Sequence, residues 1–270
     1  MNVDIAKIVK NKNFKLYKKI PSFLFKLMAR IIHQKEINEI LTNFSTLKDA
    51  EFITATLDHL SITRDINFDR LEEKKEGDNS LIFVANHPLG GVDGFVLAEA
   101  IAARYGDVKV VVNDILMNIE PVKGLFVPIN KHGKQSSDYA SLLNDTFESK
   151  TPILYFPAGL CSRKINGRVT DLKWHNSFLK KAISHNRDVV PVMVDSLNSI
   201  FFYNFALLRK RLNIVANLEM VLLPSELFKK RGKKIKIIFG EKIEIETLKN
   251  DKSVATKVEE IRQKCYSLKI

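Results

Sequence analysis

At 270 residues, 45% hydrophobic and 27% charged, the chain has the composition of an ordinary globular protein and enough length to bury a core in one large domain. Lys and Arg total 43 against 31 Asp and Glu, so the formal net charge of +12 favours a polyanionic partner: nucleic acid, an anionic lipid surface or an acidic carrier protein. The two cysteines, Cys161 and Cys265, exclude a disulfide framework and a cysteine-rich metal site, and no run of about 20 uncharged apolar residues exists to cross a membrane.

Residues 1–60 read as mostly helical. The start, Met1 to Lys7, lacks the long apolar core of a secretory signal, so the protein is expected on the cytoplasmic side. Pro21 suits the first turn of a helix. From there Phe23, Leu24, Phe25, Leu27, Met28, Ile31 and Ile32 form a broad apolar surface, with Ser22, Lys26, Arg30, His33 and Gln34 on the opposite side. Lys10, Lys12, Lys15, Lys18 and Lys19 lie upstream. This is the pattern of an interfacial helix on an anionic membrane, peripheral at the inner face. It also fits a helix that covers the protein's own core, its lysines merely solvated. A polar loop, Glu72 to Asn79, separates a helical segment, residues 1–70, from residues 71–270.

Beyond the loop, strand-like and helix-like runs alternate. The strand candidates are Leu81–Ala85, Lys109–Asn113, Phe126–Ile129, Pro152–Phe156, Asp188–Val194 and Lys234–Phe239. The helix candidates are Phe95–Arg104, Gln135–Lys150, Asn176–His185 and Val254–Ser267. That order predicts an α/β fold, a mixed central sheet flanked by helices, with an N-terminal helical segment. The basic run Lys229 to Lys236 reads as a solvated turn before the last strand, with contact to anionic headgroups as a second reading.

The most informative stretch is Ala85-Asn86-His87-Pro88-Leu89-Gly90-Gly91-Val92-Asp93-Gly94. A buried strand delivers a histidine to the rim of a sheet; a glycine pair permits a bend, and an aspartate follows at the start of a helix. An imidazole can take a proton near neutral pH, and a carboxylate can fix its tautomer and stabilise its charged form. The plainer alternative is a surface turn with a solvated histidine and a helix-capping aspartate.

Three further blocks follow in order: Gly124 to Lys131, Phe156 to Lys164, and Val189-Val190-Pro191-Val192. Together the four blocks, from about Leu81 to Val194, resemble the glycerolipid acyltransferase superfamily typified by 1-acylglycerol-3-phosphate acyltransferases. The first is most similar to the bacterial hemolysin-like subset of lyso-ornithine and lyso-glycine lipid O-acyltransferases, which carry Asn-His-Pro-Leu-Gly-Gly-x-Asp-Gly. The resemblance implies transfer of a fatty acyl group from acyl carrier protein or acyl-CoA to the hydroxyl of a mono-acylated polar lipid. It implies no metal and no cofactor beyond the acyl donor.

The same resemblance implies the site. His87 would be the general base on the acceptor hydroxyl, which attacks the thioester directly, and Asp93 would orient the imidazole. Backbone N–H groups near Gly90-Gly91 or Gly159-Leu160 would face the oxyanion. Asn86, Lys131 and Ser162 belong to the substrate site, and Arg163 and Lys164 would grip an anionic headgroup. The chain departs from the main family at three points. Five residues separate His87 from Asp93 where four are usual, Ala158 stands where Glu is usual, and Lys131 replaces Arg. Losing a carboxylate and a forked guanidinium points away from lysophosphatidate and toward a lyso-aminolipid.

Alternatives remain open. Cys161 could serve as a thiol nucleophile beside His87, although direct acylation makes it a packed small residue. His33, His59, His132, His175 and His185 form no ligand pattern. A lysophosphatidate acyltransferase or a non-catalytic, hemolysin-like membrane binder would share the motifs or the N-terminal pattern. Nucleic acid is not an expected partner, because no reader module or aromatic stacking pattern is present.

Overall fold

The computed structural model describes residues 3–12, 14–73, 80–129 and 137–268. Five helices open the chain: α1 (Ile5–Lys12), α2 (Phe14–Lys19), α3 (Ser22–Ile31), α4 (Gln34–Asn43) and α5 (Asp49–His59). Pro21 stands immediately before α3 with extended backbone, and α3 stops where His33 turns left-handed at φ 54°. The remainder runs β1 (Thr63–Asn67), β2 (Leu81–Ala85), α6 (Gly91–Tyr105), β3 (Lys109–Asn113), β4 (Phe126–Ile129), α7 (Ser137–Glu148) and β5 (Ile153–Tyr155). It continues through β6 (Arg163–Ile165), β7 (Arg168–Thr170), α8 (Ser177–Ser184), β8 (Asp188–Asp195), α9 (Ile200–Arg211), α10 (Leu223–Phe228), β9 (Lys234–Phe239) and α11 (Val254–Ser267).

Seven strands form one sheet in the order β1-β9-β8-β2-β5-β3-β4, with every pair parallel except β8–β9. The expected mixed α/β architecture is therefore present. Alternate residues of β2 supply two cores. Phe83 and Ala85 pack with Ile53, Leu57 and Leu97 on one face, while Ile82 and Val84 pack with Phe178, Val258 and Ile261 on the other. Burial on both faces is why this strand reads as an unbroken apolar run.

One feature departs from the sequence reading, and a second had no signal in it. Residues 1–70 also contain β1, an edge strand paired in parallel with β9 along Thr63 to Asn67. Its single large apolar residue, Ile66, gives no alternation to detect, and Arg64 pins it to α6 through Glu99 at 2.7 and 2.9 Å. Phe52, Ile53 and Leu57 of α5 lie in the same core as the sheet. The second feature is Arg187, whose fully buried guanidinium donates to the carbonyls of Leu81, Thr146, Phe147, Ser149 and Thr151. It ties the end of α7 to the edge of β2, and burial pulls it down to about 10. The 72–79 loop falls largely outside the described residues.

Candidate active site

β2 lies at the centre of the sheet, and its carboxyl end opens onto the crevice where α/β proteins bind ligands. The first residue past it, Asn86, closes a two-bond clasp with β8. Its Nδ2 donates to the Val194 carbonyl at 3.0 Å, and the Val194 N–H donates to its Oδ1 at 2.7 Å. His87 follows with its backbone pinned at both ends. Its N–H donates to Asp171 Oδ1 at 3.1 Å, and its carbonyl accepts the Ser162 N–H at 2.8 Å.

The chain then turns at Gly90, where φ is +83°, and α6 begins. A Cβ at Gly90 would fall 2.9 Å from Leu223 and 3.0 Å from Cys161, so both the conformation and the space require glycine. Asp93, in the first turn of α6, is fully buried. Its carboxylate accepts the N–H groups of Leu89 (2.9 Å), Gly90 (3.3 Å) and Gly94 (2.9 Å). So restrained, Asp93 places Oδ1 3.1 Å from His87 Nδ1. The approach is close enough for an ion pair but not linear enough for a hydrogen bond. The imidazole packs against Phe156, ring centroids 4.1 Å apart, and stays partly exposed.

A second carboxylate, missed in the sequence, organises the same rim. Asp171 accepts the His87 N–H, the Ser162 hydroxyl and Trp174 Nε1 at 2.9 Å, while its own N–H donates to the Tyr266 hydroxyl at 2.8 Å. Burial raises its pKa, against the pull of those hydrogen bonds. No motif or spacing marks Asp171; only the fold brings it under His87.

The other expected site residues divide. Asn86 and Ser162 spend their side chains on Val194 and Asp171. Arg163 turns inward: its guanidinium bonds the Cys161 carbonyl at 2.6 Å and Glu219 at 2.8 Å, so it staples the β6–β7 hairpin and leaves no free fork for a headgroup. Glu219 is also 2.7 Å from Arg209 of α9, one buried carboxylate between two guanidiniums. Lys164 is exposed, with no hydrogen bond or ion pair among the described residues. Gly91 is exposed; the Gly159 N–H is used in a turn to the Phe156 carbonyl at 2.9 Å. Lys131 and His132 lie outside the described residues.

Cys161 is fully buried, and burial, followed by the nearby Asp93 charge, pushes its thiol up to about 12. It packs with Phe202 and Tyr203 of α9 and with Leu223 in a small satellite core. A groove of about 430 Å³ lined by Phe147, Tyr155 and Lys180 shares no residue with the His87–Asp93 pair. Among the described residues, no three His, Cys, Asp or Glu side chains converge as metal ligands would.

Residues 7–270 match the profile of the family described as Acyltransferase. A lyso-glycine lipid O-acyltransferase of Bacteroides thetaiotaomicron is 40% identical over 267 residues, 98% of this chain and 97% of that protein. Another of that name, from Phocaeicola vulgatus, is 38% identical over 267 residues, 98% of this chain and 95% of that protein. The crystal structure of the 1-acyl-sn-glycerophosphate (LPA) acyltransferase PlsC from Thermotoga maritima aligns over 91% of both chains at 15% identity and a TM-score of 0.45, too distant to bear on the site. The resemblance first visible in four short blocks extends over nearly the whole sequence, and the chain belongs to the acyltransferase family and is an acyltransferase.

Proposed function

We propose that this protein is a membrane-surface O-acyltransferase that moves a fatty acyl group from a thioester, on acyl carrier protein or CoA, to the hydroxyl of a mono-acylated aminolipid. The acceptor class is supported by the two relatives named lyso-glycine lipid O-acyltransferase and by Ala158 and Lys131, which depart from the phospholipid pattern. The observation that supports the chemistry best is the 3.1 Å approach of buried Asp93 to His87 Nδ1.

With Nδ1 turned to Asp93, Nε2 is the nitrogen that takes the acceptor's hydroxyl proton. The oxygen then attacks the thioester carbonyl. Collapse of the tetrahedral intermediate breaks the C–S bond, and the imidazolium returns the proton to the leaving thiolate. Because the amides of Leu89, Gly90 and Gly159 are already used, the Gly91 N–H at the start of α6 is the strongest candidate for the oxyanion. Lys164, exposed beyond the hairpin staple, is suited to an anionic headgroup. No cofactor beyond the acyl donor is proposed. Acyl carrier proteins are acidic, and a net charge of +12 would steer either that donor or an anionic bilayer. Among the described residues no helix is long and apolar enough to cross a membrane; the proposed attachment is peripheral, at the cytoplasmic face.

His87→Ala should lower transfer to a lyso-glycine lipid by about 100- to 10,000-fold with little change in melting temperature. Retained transfer would remove His87 from the chemistry. Faster turnover of lysophosphatidate than of the lyso-aminolipid would move the assignment to phospholipid synthesis.

A further inference from the structure

α9 has two apolar faces, and only one is covered. Phe202, Tyr203 and Ala206 are buried toward Cys161 and Met220. Around the helix, Phe201, Phe205, Leu208 and Leu212 fall at i, i+4, i+7 and i+11, a stripe along the other side. Phe201 is 60% exposed and Leu212 61%, with the Phe201 and Phe205 rings stacked on each other 6.0 Å apart. The stripe extends to Ile200, 77% exposed, and into the turn after the helix at Val215, 92% exposed. Contiguous exposure of this kind marks an interaction surface.

The charge around the stripe has one sign. Between Leu197 and Lys234 stand seven Lys and Arg residues and two acids, Glu219 and Glu226. Both acids are buried and paired, Glu219 with Arg163 and Arg209, Glu226 with Lys229 and the Ser199 cap of α9. Within this segment the charge left facing solvent is positive, and across the groove at Phe228 and Lys229 the facing acid, Glu36, is paired with His33. The surface is also continuous with the N-terminal helices. Lys229 Nζ lies 5.9 Å over the Phe201 ring, and the adjacent Phe228 stacks on His33 at 4.6 Å, just past α3 with its exposed Phe23 and Leu27. It is geared to the catalytic rim through Leu223 against Gly90 and Glu219 on Arg163.

We infer that the α9 stripe and the turn after it are a docking face for an anionic lipid bilayer, which sets the His87 rim at the membrane surface. This deepens, and rests on, the reading that the acceptor is a membrane lipid. The apolar side chains enter the boundary between headgroups and acyl chains, and the surrounding cations meet lipid phosphates. An acidic carrier protein would match the cations but leave the large apolar stripe unexplained. A second copy docked two-fold would set this cationic face against itself.

The test is co-sedimentation of the full chain with phosphatidylcholine vesicles, with and without phosphatidylglycerol. Wild-type protein should bind the anionic vesicles. The triple variant Phe201→Ser, Leu208→Ser, Val215→Ser should lose about tenfold or more in partitioning. It should keep its melting temperature and its turnover of a water-soluble short-chain acceptor. The pair Phe23→Ser, Leu27→Ser reports the α3 contribution separately. Wild-type-like sedimentation of the triple variant, with wild type bound, overturns the α9 face alone and leaves the membrane reading standing. Failure of wild type to bind either vesicle sinks that reading and the inference together. If the triple variant instead loses only binding to acyl carrier protein, or only a solution dimer, the face is a donor or self-association surface and the inference is overturned.

Discussion

Asp93 serves two physical roles with one carboxylate. Three backbone amides hold it at the N-terminus of α6, as a capping residue would be held, and the same restraint fixes the oxygen that faces His87. Capping the helix and facing the imidazole are therefore not competing explanations of the motif. The spacing in Asn86 to Gly94 made the closeness of His87 and Asp93 legible, because the two residues are near in sequence. Arg163 and Asp171 were not legible. What each one does depends on Glu219, Tyr266 and His87, partners distant in the chain. Cys161 gives a residue-scale prediction. With its thiol raised to about 12 by burial, it stays protonated in the neutral range. A raised thiol leaves stability unaffected below the unfolded thiol range, about 8.5, and lowers it only as pH climbs from there. Folded protein should resist iodoacetamide at Cys161, and Cys161→Ala should keep transfer within about threefold of wild type. Rapid alkylation of the folded thiol, together with inactivity of the alanine variant, would restore a thiol mechanism.

At the scale of elements, strands buried on both faces were the easiest to read. β2, β3, β4 and β9 have the boundaries their apolar runs suggest. The β6–β7 hairpin was missed although Asn166-Gly167, both at positive φ, is a strong two-residue hairpin signal; three-residue strands are simply short. α9 was missed for a different reason. Apolar residues on two faces blur the helical period, so its sequence reads as an undifferentiated hydrophobic stretch. Glu219 holds these two elements together. Its removal in Glu219→Ala would leave two inward-facing guanidiniums uncompensated, at a cost of about 3–5 kcal/mol. The urea midpoint measures this directly; a shift under about 1 kcal/mol would show that the two arginines find other partners or water.

For the molecule as a whole, the first 70 residues are not an appendage to the sheet. β1 hydrogen-bonds β9, Arg64 grips Glu99 of α6, and α5 fills the core beside Phe83. A fragment of residues 71–270 would expose the edge of β9 and the surface that Ile53 and Leu57 cover, so it should aggregate or melt without cooperativity. A soluble fragment with a sharp thermal transition would show that residues 1–70 are dispensable for folding. The polar loop suggested a boundary because it changes composition, whereas the contacts that cross it, from α5 and β1, join residues far apart in the chain.

One hydroxyl near the end of the sequence has an unexpected reach. Tyr266, in the last turn of α11, braces the Asp171 backbone, and Asp171 in turn steadies the amide of His87. Trimming that final turn would thus be felt as wobble at the His87 ring, reached only through Asp171.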